Sequence, residues 1–296
     1  MTTTGFDGLV AATERGAWDE VREQARALSD GLAPTADAVV REVLGRLDAA
    51  AEGDALVPLL TSLGDLVDAH GWEAGAERID RQRLVLCEVR FAEAELGGEA
   101  VPVAVRRDLA DALVSVATRA DPASGDALRT AWFARALDVL APLPGPGGDR
   151  ARAAVHLAGG DVADDAGLPR DAIVHYRAAA GLLQPHGDDR MLHVVLGRLW
   201  RVLWRHDLDL GAVLQEAVRV GRAVVAAPDA DLEAVEELAD HLLVLWERAA
   251  PGERAPLADE IVALRRRVAQ AVPSEAAAMA LQQALALTGA APDADA

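Results

Sequence analysis

Residues 143–185 read LPGPGGDRARAAVHLAGGDVADDAGLPRDAIVHYRAAAGLLQP. Two helix-length stretches flank the turn GLPRD (167–171), and their apolar residues recur at spacings of three and four, not two. Pro185 closes the second stretch, because proline cannot continue the hydrogen-bonded ladder. The same punctuation extends on both sides. Pro142, Pro185, Pro228 and Pro273 are separated by 43, 43 and 45 residues, and Pro102 lies 40 before Pro142. Each interval holds two helical stretches and one turn: DPASGD (121–126), GLPRD, HDLDLG (206–211) and APGER (250–254). A helix pair repeated at a near-constant period predicts an all-α fold, a right-handed α-solenoid of antiparallel helix pairs. The alternative is an ordinary helical bundle whose prolines happen to be evenly placed.

The rest of the chain follows the same helical grammar. Periodicity predicts helices over 6–14, 17–29, 36–51, 55–69, 72–96, 103–119, 125–141, 150–166, 170–184, 188–206, 210–226, 231–249, 254–271 and 275–288. Only LVLCEVRF (84–91) alternates like a strand. The i,i+4 spacing of Glu73, Glu77 and Arg81 on the same segment favours a helix there. The organisation expected is an N-terminal helical region (1–102), helix-pair repeats (103–273), a capping helix (274–288) with Ser274 as its N-cap, and a disordered tail (289–296). GPGGD (145–149) reads as a linker.

Within 143–185, Gly160, Ala172, Tyr176 and Ala179 stand at Gly-x11-Ala-x3-aromatic-x2-Ala spacing. This unit resembles a divergent tetratricopeptide repeat, and Phe133, Ala136 and Pro142 repeat the later part of the pattern. His156, Gly159 and Ala163 replace the tryptophan, leucine and tyrosine usual in that family, and the period is longer. The resemblance implies that the first helix of each pair lines a concave groove that receives a protein or peptide.

Composition excludes much chemistry. The 296 residues contain no lysine and no asparagine, so all 29 basic residues are arginine. Phosphate-loop, Schiff-base and kinase-type lysines are therefore impossible, as is N-glycosylation. Such usage fits the coding bias of a GC-rich bacterial genome. A net charge of -19 repels nucleic-acid backbones and anionic lipid surfaces. Cys87 is the only cysteine, so there is no internal disulfide and no multi-cysteine metal site. The start, MTTTGFDGLV, carries no secretion signal, and no apolar run reaches membrane-spanning length. A cytoplasmic protein without membrane insertion is expected.

No nucleophile elbow, zinc helix or dinucleotide fingerprint occurs. His175, His186, His193 and His206 cluster with Asp188, Asp189 and Asp207, but at no recognised ligand spacing. Asp161, Asp164 and Asp165 form a DxxDD run that reads as a solvated helix end. Catalytic residues, metal and cofactor are expected to be absent.

The strongest candidate site is DDRMLHVVLGRLWRVLWRHD (188–207). Leu192, His193, Leu196, Leu199, Trp200, Leu203 and Trp204 share an apolar face at 100° per residue. Arg190, Arg198, Arg201 and Arg205 share the opposite edge. Arg198, Arg201 and Arg205 are the candidate contacts for an acidic segment or chain terminus, with Trp200 and Trp204 packed behind them. In the alternative, these arginines pair with Glu233, Glu236 or Glu237 on the next first helix. Three functions follow. A non-enzymatic scaffold binding a protein or peptide leads, ahead of a regulatory sensor for a small ligand or signalling peptide. A helical enzyme using the 156–207 histidines and aspartates comes third. Oligomeric state is not encoded legibly.

Overall fold

The protein's structure, a computed structural model, describes residues 4–29, 56–69, 71, 73–120, 126–187, 189–227 and 229–288. The helix expected over 36–51, the tail 289–296 and Pro228 lie outside the described residues. Those residues form thirteen α-helices and no strand. The chain divides into two compact units, Met1–Ala158 and Gly159–Ala296.

The first unit holds α1 (Thr4–Glu14), α2 (Trp18–Ser29), α3 (Leu56–Ala69), α4 (Glu73–Leu96), α5 (Val103–Arg119) and α6 (Asp126–Leu140). Helix α1 packs on α2 and α4, α3 on α4, α4 on α5, and α5 on α6. Leu9, Leu59, Leu63 and Ile79 are fully buried in this core. The LVLCEVRF segment lies inside α4, where Arg81 bonds Glu77 one turn earlier at 2.6 Å. Arg83 is buried, and its guanidinium donates to Thr61 Oγ1 at 2.9 Å, the Asp111 carbonyl at 3.0 Å and Ser115 Oγ at 2.7 Å. Three acceptors on α3 and α5 thus offset the cost of taking this cation out of water. Nearby, Arg119 bonds Asp80 at 2.7 Å and Asp68 at 2.6 Å. Burial still pushes the Asp80 carboxyl above its usual range, with Arg83 and Arg119 opposing.

Helix α7 (Gly145–Asp165) begins earlier than the sequence implies, since GPGGD forms its first turn rather than a linker. Pro146 fits there, because first-turn N–H groups have no partner within the helix. Gly148 is required by close approach: a Cβ at that position would lie 2.2 Å from the Leu143 carbonyl oxygen. Gly145 instead takes a φ of +71°, a region that favours glycine.

The second unit takes in the end of α7 and then α8 (Pro169–Leu183), α9 (Asp189–Arg205), α10 (Gly211–Val225), α11 (Leu232–Arg248), α12 (Arg254–Ala271) and α13 (Glu275–Thr288). From α8 onward each helix packs on the next. Local chemistry sets the ends. Pro169 starts α8, the Asp231 side chain accepts from the Ala234 N–H at 2.7 Å to cap α11, and Ser274 Oγ accepts from the Ala277 N–H at 3.1 Å to cap α13. Gly167 and Gly187 take φ of +70° and +64° in the connections, a region that favours glycine.

Gly160 and Tyr176 lie against each other. Tyr176 is fully buried, and its hydroxyl donates to Asp161 Oδ1 at 2.7 Å. A Cβ on Gly160 would sit 2.4 Å from Tyr176 Cε1, so only glycine lets the ring lie against α7. Side-chain links in this unit span nearly one proline period. Arg201 reaches Glu237 across 36 residues, Arg222 reaches Glu260 across 38, and Arg205 reaches Asp164 across 41.

Candidate functional site

Helix α9 buries one broad face. Leu192, His193, Leu196, Leu199, Trp200 and Leu203 are all buried, as the helical pattern expects. Trp204 departs from that expectation. It is 55% exposed, whereas Trp200 is 7% exposed. Helix α9 ends at Arg205, so Trp204 projects from its last turn instead of packing behind the arginines.

Trp200, Arg201 and Trp204 form one wall of a groove whose other wall is α11, with a volume of about 620 Å³. From α11 come Glu233, Glu236, Glu237, Asp240 and Glu247, with His241 on the floor beside Leu243 and Val244. These residues recur at three and four along α11, which puts them on one face. The two tryptophan rings lie 5.9 Å apart at a 47° tilt. His241 meets Trp200 edge-on at 5.1 Å and His193 edge-on at 5.7 Å.

The three candidate arginines have in-chain partners, and these partners lie on two different helices. Arg201 pairs with Glu237 of α11. Arg205 bonds Asp164 Oδ2 of α7 at 2.5 Å, and Arg198 Nε lies 3.4 Å from Asp161 Oδ1. Pairing with the α11 glutamates therefore accounts for one arginine only. The DxxDD run supplies partners for the other two, so Asp161 and Asp164 are structural acids rather than open ones. Asp240 pairs with Arg265.

Burial governs the titrating groups at the groove floor. His241 is fully buried, and neither ring nitrogen has a hydrogen-bond partner. Burial first, then neighbouring His193 and Arg201, push its pKa down to about 3, so the ring is neutral. Burial also lowers His193. His193 Nε2 lies 3.4 Å from Glu237 Oε2, too loose for a strong bond. Burial raises the Glu237 carboxyl, with Arg201 opposing and Glu233 reinforcing. Gly197 leaves room for this carboxylate, since a Cβ there would lie 3.3 Å from both its oxygens.

Sequence reasoning missed the α11 half of the groove. The signal was present in the i, i+3, i+4 run of acids at Glu233, Glu236, Glu237 and Asp240, but it read only as a set of partners for arginine. Among the described residues, no group of three or more His, Cys, Asp or Glu side chains is placed to hold a metal ion. No helix among them is long and apolar enough to cross a membrane. Comparison with models of known protein families finds no match, and comparison with curated proteins finds none either.

Proposed function

We propose that this chain is a non-enzymatic helical-repeat scaffold that binds a protein or peptide segment in the α9–α11 groove. The observation carrying this reading is Trp204, a large aromatic surface left open at the mouth of a groove between two helices. Exposed aromatics beside a concave surface are typical anchors for partner side chains. In this reading, consecutive helix pairs stack as a right-handed α-solenoid of the tetratricopeptide-like kind. The links spanning 36 to 41 residues support that stacking, because they join corresponding helices of adjacent pairs. Trp200, Arg201 and Trp204 line the receiving surface, and Arg198 and Arg205 brace its first helix against α7. The lone buried Cys87 fits a cytoplasmic setting.

A peptide array probed with the purified protein tests this. Binding of a defined peptide set, lost on Trp204→Ala while the far-UV circular dichroism stays unchanged, supports it. Binding that ignores Trp204→Ala removes the groove from the reading. One observation favours a second reading, a sensor for a small ligand. The groove's volume of about 620 Å³ suits a drug-sized molecule as well as a peptide side chain.

A further inference from the structure

We propose that the α9–α11 groove is selective for an organic cation, so that the bound peptide anchors through an arginine or lysine side chain. This rests on the peptide-binding reading above and names the chemistry of the ligand. It also reverses the sign expected from the arginine edge.

The first support is charge. Five carboxylates line the groove, at Glu233, Glu236, Glu237, Asp240 and Glu247, against the single guanidinium of Arg201. Glu237 and Asp240 are held by Arg201 and Arg265. Glu233, Glu236 and Glu247 form no ion pair among the described residues, and all three are exposed. Arg201 is already committed to Glu237, so an incoming anion meets a net negative surface. An incoming cation meets three carboxylates without counter-ions.

The second support is the floor. His241 is fully buried, faces the groove and has no partner at either ring nitrogen. A neutral imidazole offers one acceptor lone pair and one N–H. Leaving such a group buried and unsatisfied is costly, and a guanidinium or ammonium N–H is a suitable donor to its acceptor nitrogen once the side chains covering the ring part around the ligand. The low pKa of this ring agrees, because it stays unprotonated and does not repel a cation.

The third support separates an organic cation from a metal ion. The described residues offer no cluster of ligands at metal-binding spacing. They do offer the open face of Trp204, 55% exposed, beside the acids. An aromatic face attracts a guanidinium or alkylammonium through its quadrupole, and indole is the strongest such face. Spread carboxylates with an indole wall suit a diffuse cation on an apolar stem.

The test uses two short fluorescein-labelled peptides of identical sequence, one carrying arginine and the other citrulline at the same positions. N-acetyl-arginine amide serves as a small probe read by tryptophan fluorescence, with Trp204→Phe assigning the signal. The arginine peptide is expected to bind at least about tenfold tighter than the citrulline peptide. Trp204→Ala and the double change Glu233→Gln, Glu236→Gln are each expected to weaken it about fivefold to tenfold. Circular dichroism of every variant confirms folding. Equal, Trp204-dependent binding of both peptides overturns the cation selectivity and leaves the peptide reading standing. If neither peptide binds but the arginine amide still changes the Trp204 signal, the peptide reading fails and the cation site stands. No response to any of the three probes overturns both. Arginine-peptide affinity unchanged in both sets of variants overturns the site.

Discussion

Removing the Arg201 guanidinium tests the logic of the groove's ionic floor. Arg201→Ala leaves Glu237, whose side chain is only 16% exposed, without its cation. Breaking a fully buried pair costs about 3–5 kcal/mol, and an exposed one about 0.2–1 kcal/mol. The Arg201 side chain is 39% exposed, so solvent screens this pair and an intermediate loss is expected. We expect about 1.5–2 kcal/mol, well above a typical surface charge change. Adding Glu237→Gln removes the stranded charge and should recover at least about 1 kcal/mol of that loss. The pH dependence has a definite sign. Burial already raises the Glu237 carboxyl above its usual 4.5. A carboxyl with a raised folded pKa binds more protons folded than unfolded between the two values, so stability rises as pH falls through that window. Loss of Arg201 raises it further, so the deficit of Arg201→Ala should shrink as pH is lowered from neutral toward about 5. Urea unfolding of the wild type, both single variants and the double variant measures this. Arg190→Ala, whose partner Asp229 is open to water, is the control and should leave the midpoint unmoved. Wild-type stability in Arg201→Ala, or a double variant costing the sum of the singles, refutes the reasoning.

Three further outcomes follow from the same structure. Gly160→Ala places a Cβ 2.4 Å from Tyr176 Cε1. Overpacking of about 1–3 kcal/mol then outweighs a helix-propensity gain of about 1 kcal/mol, so thermal melting should fall, and Tyr176→Leu in the same chain should relieve part of the loss. Burial holds His241 near a pKa of about 3, against 6.5 for an open ring. The unfolded chain binds the extra proton between those values, so this histidine removes stability as pH falls through the window, and His241→Phe should flatten that slope in urea titrations. Cys87 is 1% exposed and burial pushes its thiol to about 11. A disulfide reagent should leave it untouched in the native protein and label it fully in denaturant.

Helix positions were legible because the breaks between them are chemical. Pro142, Pro185 and Pro273 follow helix ends, Ser274 caps the last helix, and Gly160 with Tyr176 fixes a contact through its spacing. GPGGD was misread for the same reason, since proline and glycine mark breaks in composition yet also fit a helix start under close contact. At the groove, helical angle placed Leu192 through Trp200 correctly but could not tell that Trp204 stands in the last turn, with its ring open. Choice of ion-pair partner was least legible. Arg198, Arg201 and Arg205 share one helical edge, yet they are divided between Asp161, Glu237 and Asp164, which lie on helices before and after α9. That division depends on how neighbouring helices are set, which no periodicity within one helix records.

The order of packing also bears on how the chain is made. From α9 to α13 each helix rests on the one synthesised immediately before it. A helix leaving the ribosome there finds its docking face already present, and low contact order of this kind speeds folding. Helix α1 packs on its neighbour α2 but also needs a much later helix. Helix α1 packs on α4, where Arg78 bonds Glu14 and Gln82 bonds the Thr13 carbonyl across 69 residues. The core around Leu9 and Val10 is complete only when α4 adds Ala76 and Ile79. The core of the first unit therefore closes only when its later helices are present, while the second unit closes as it grows.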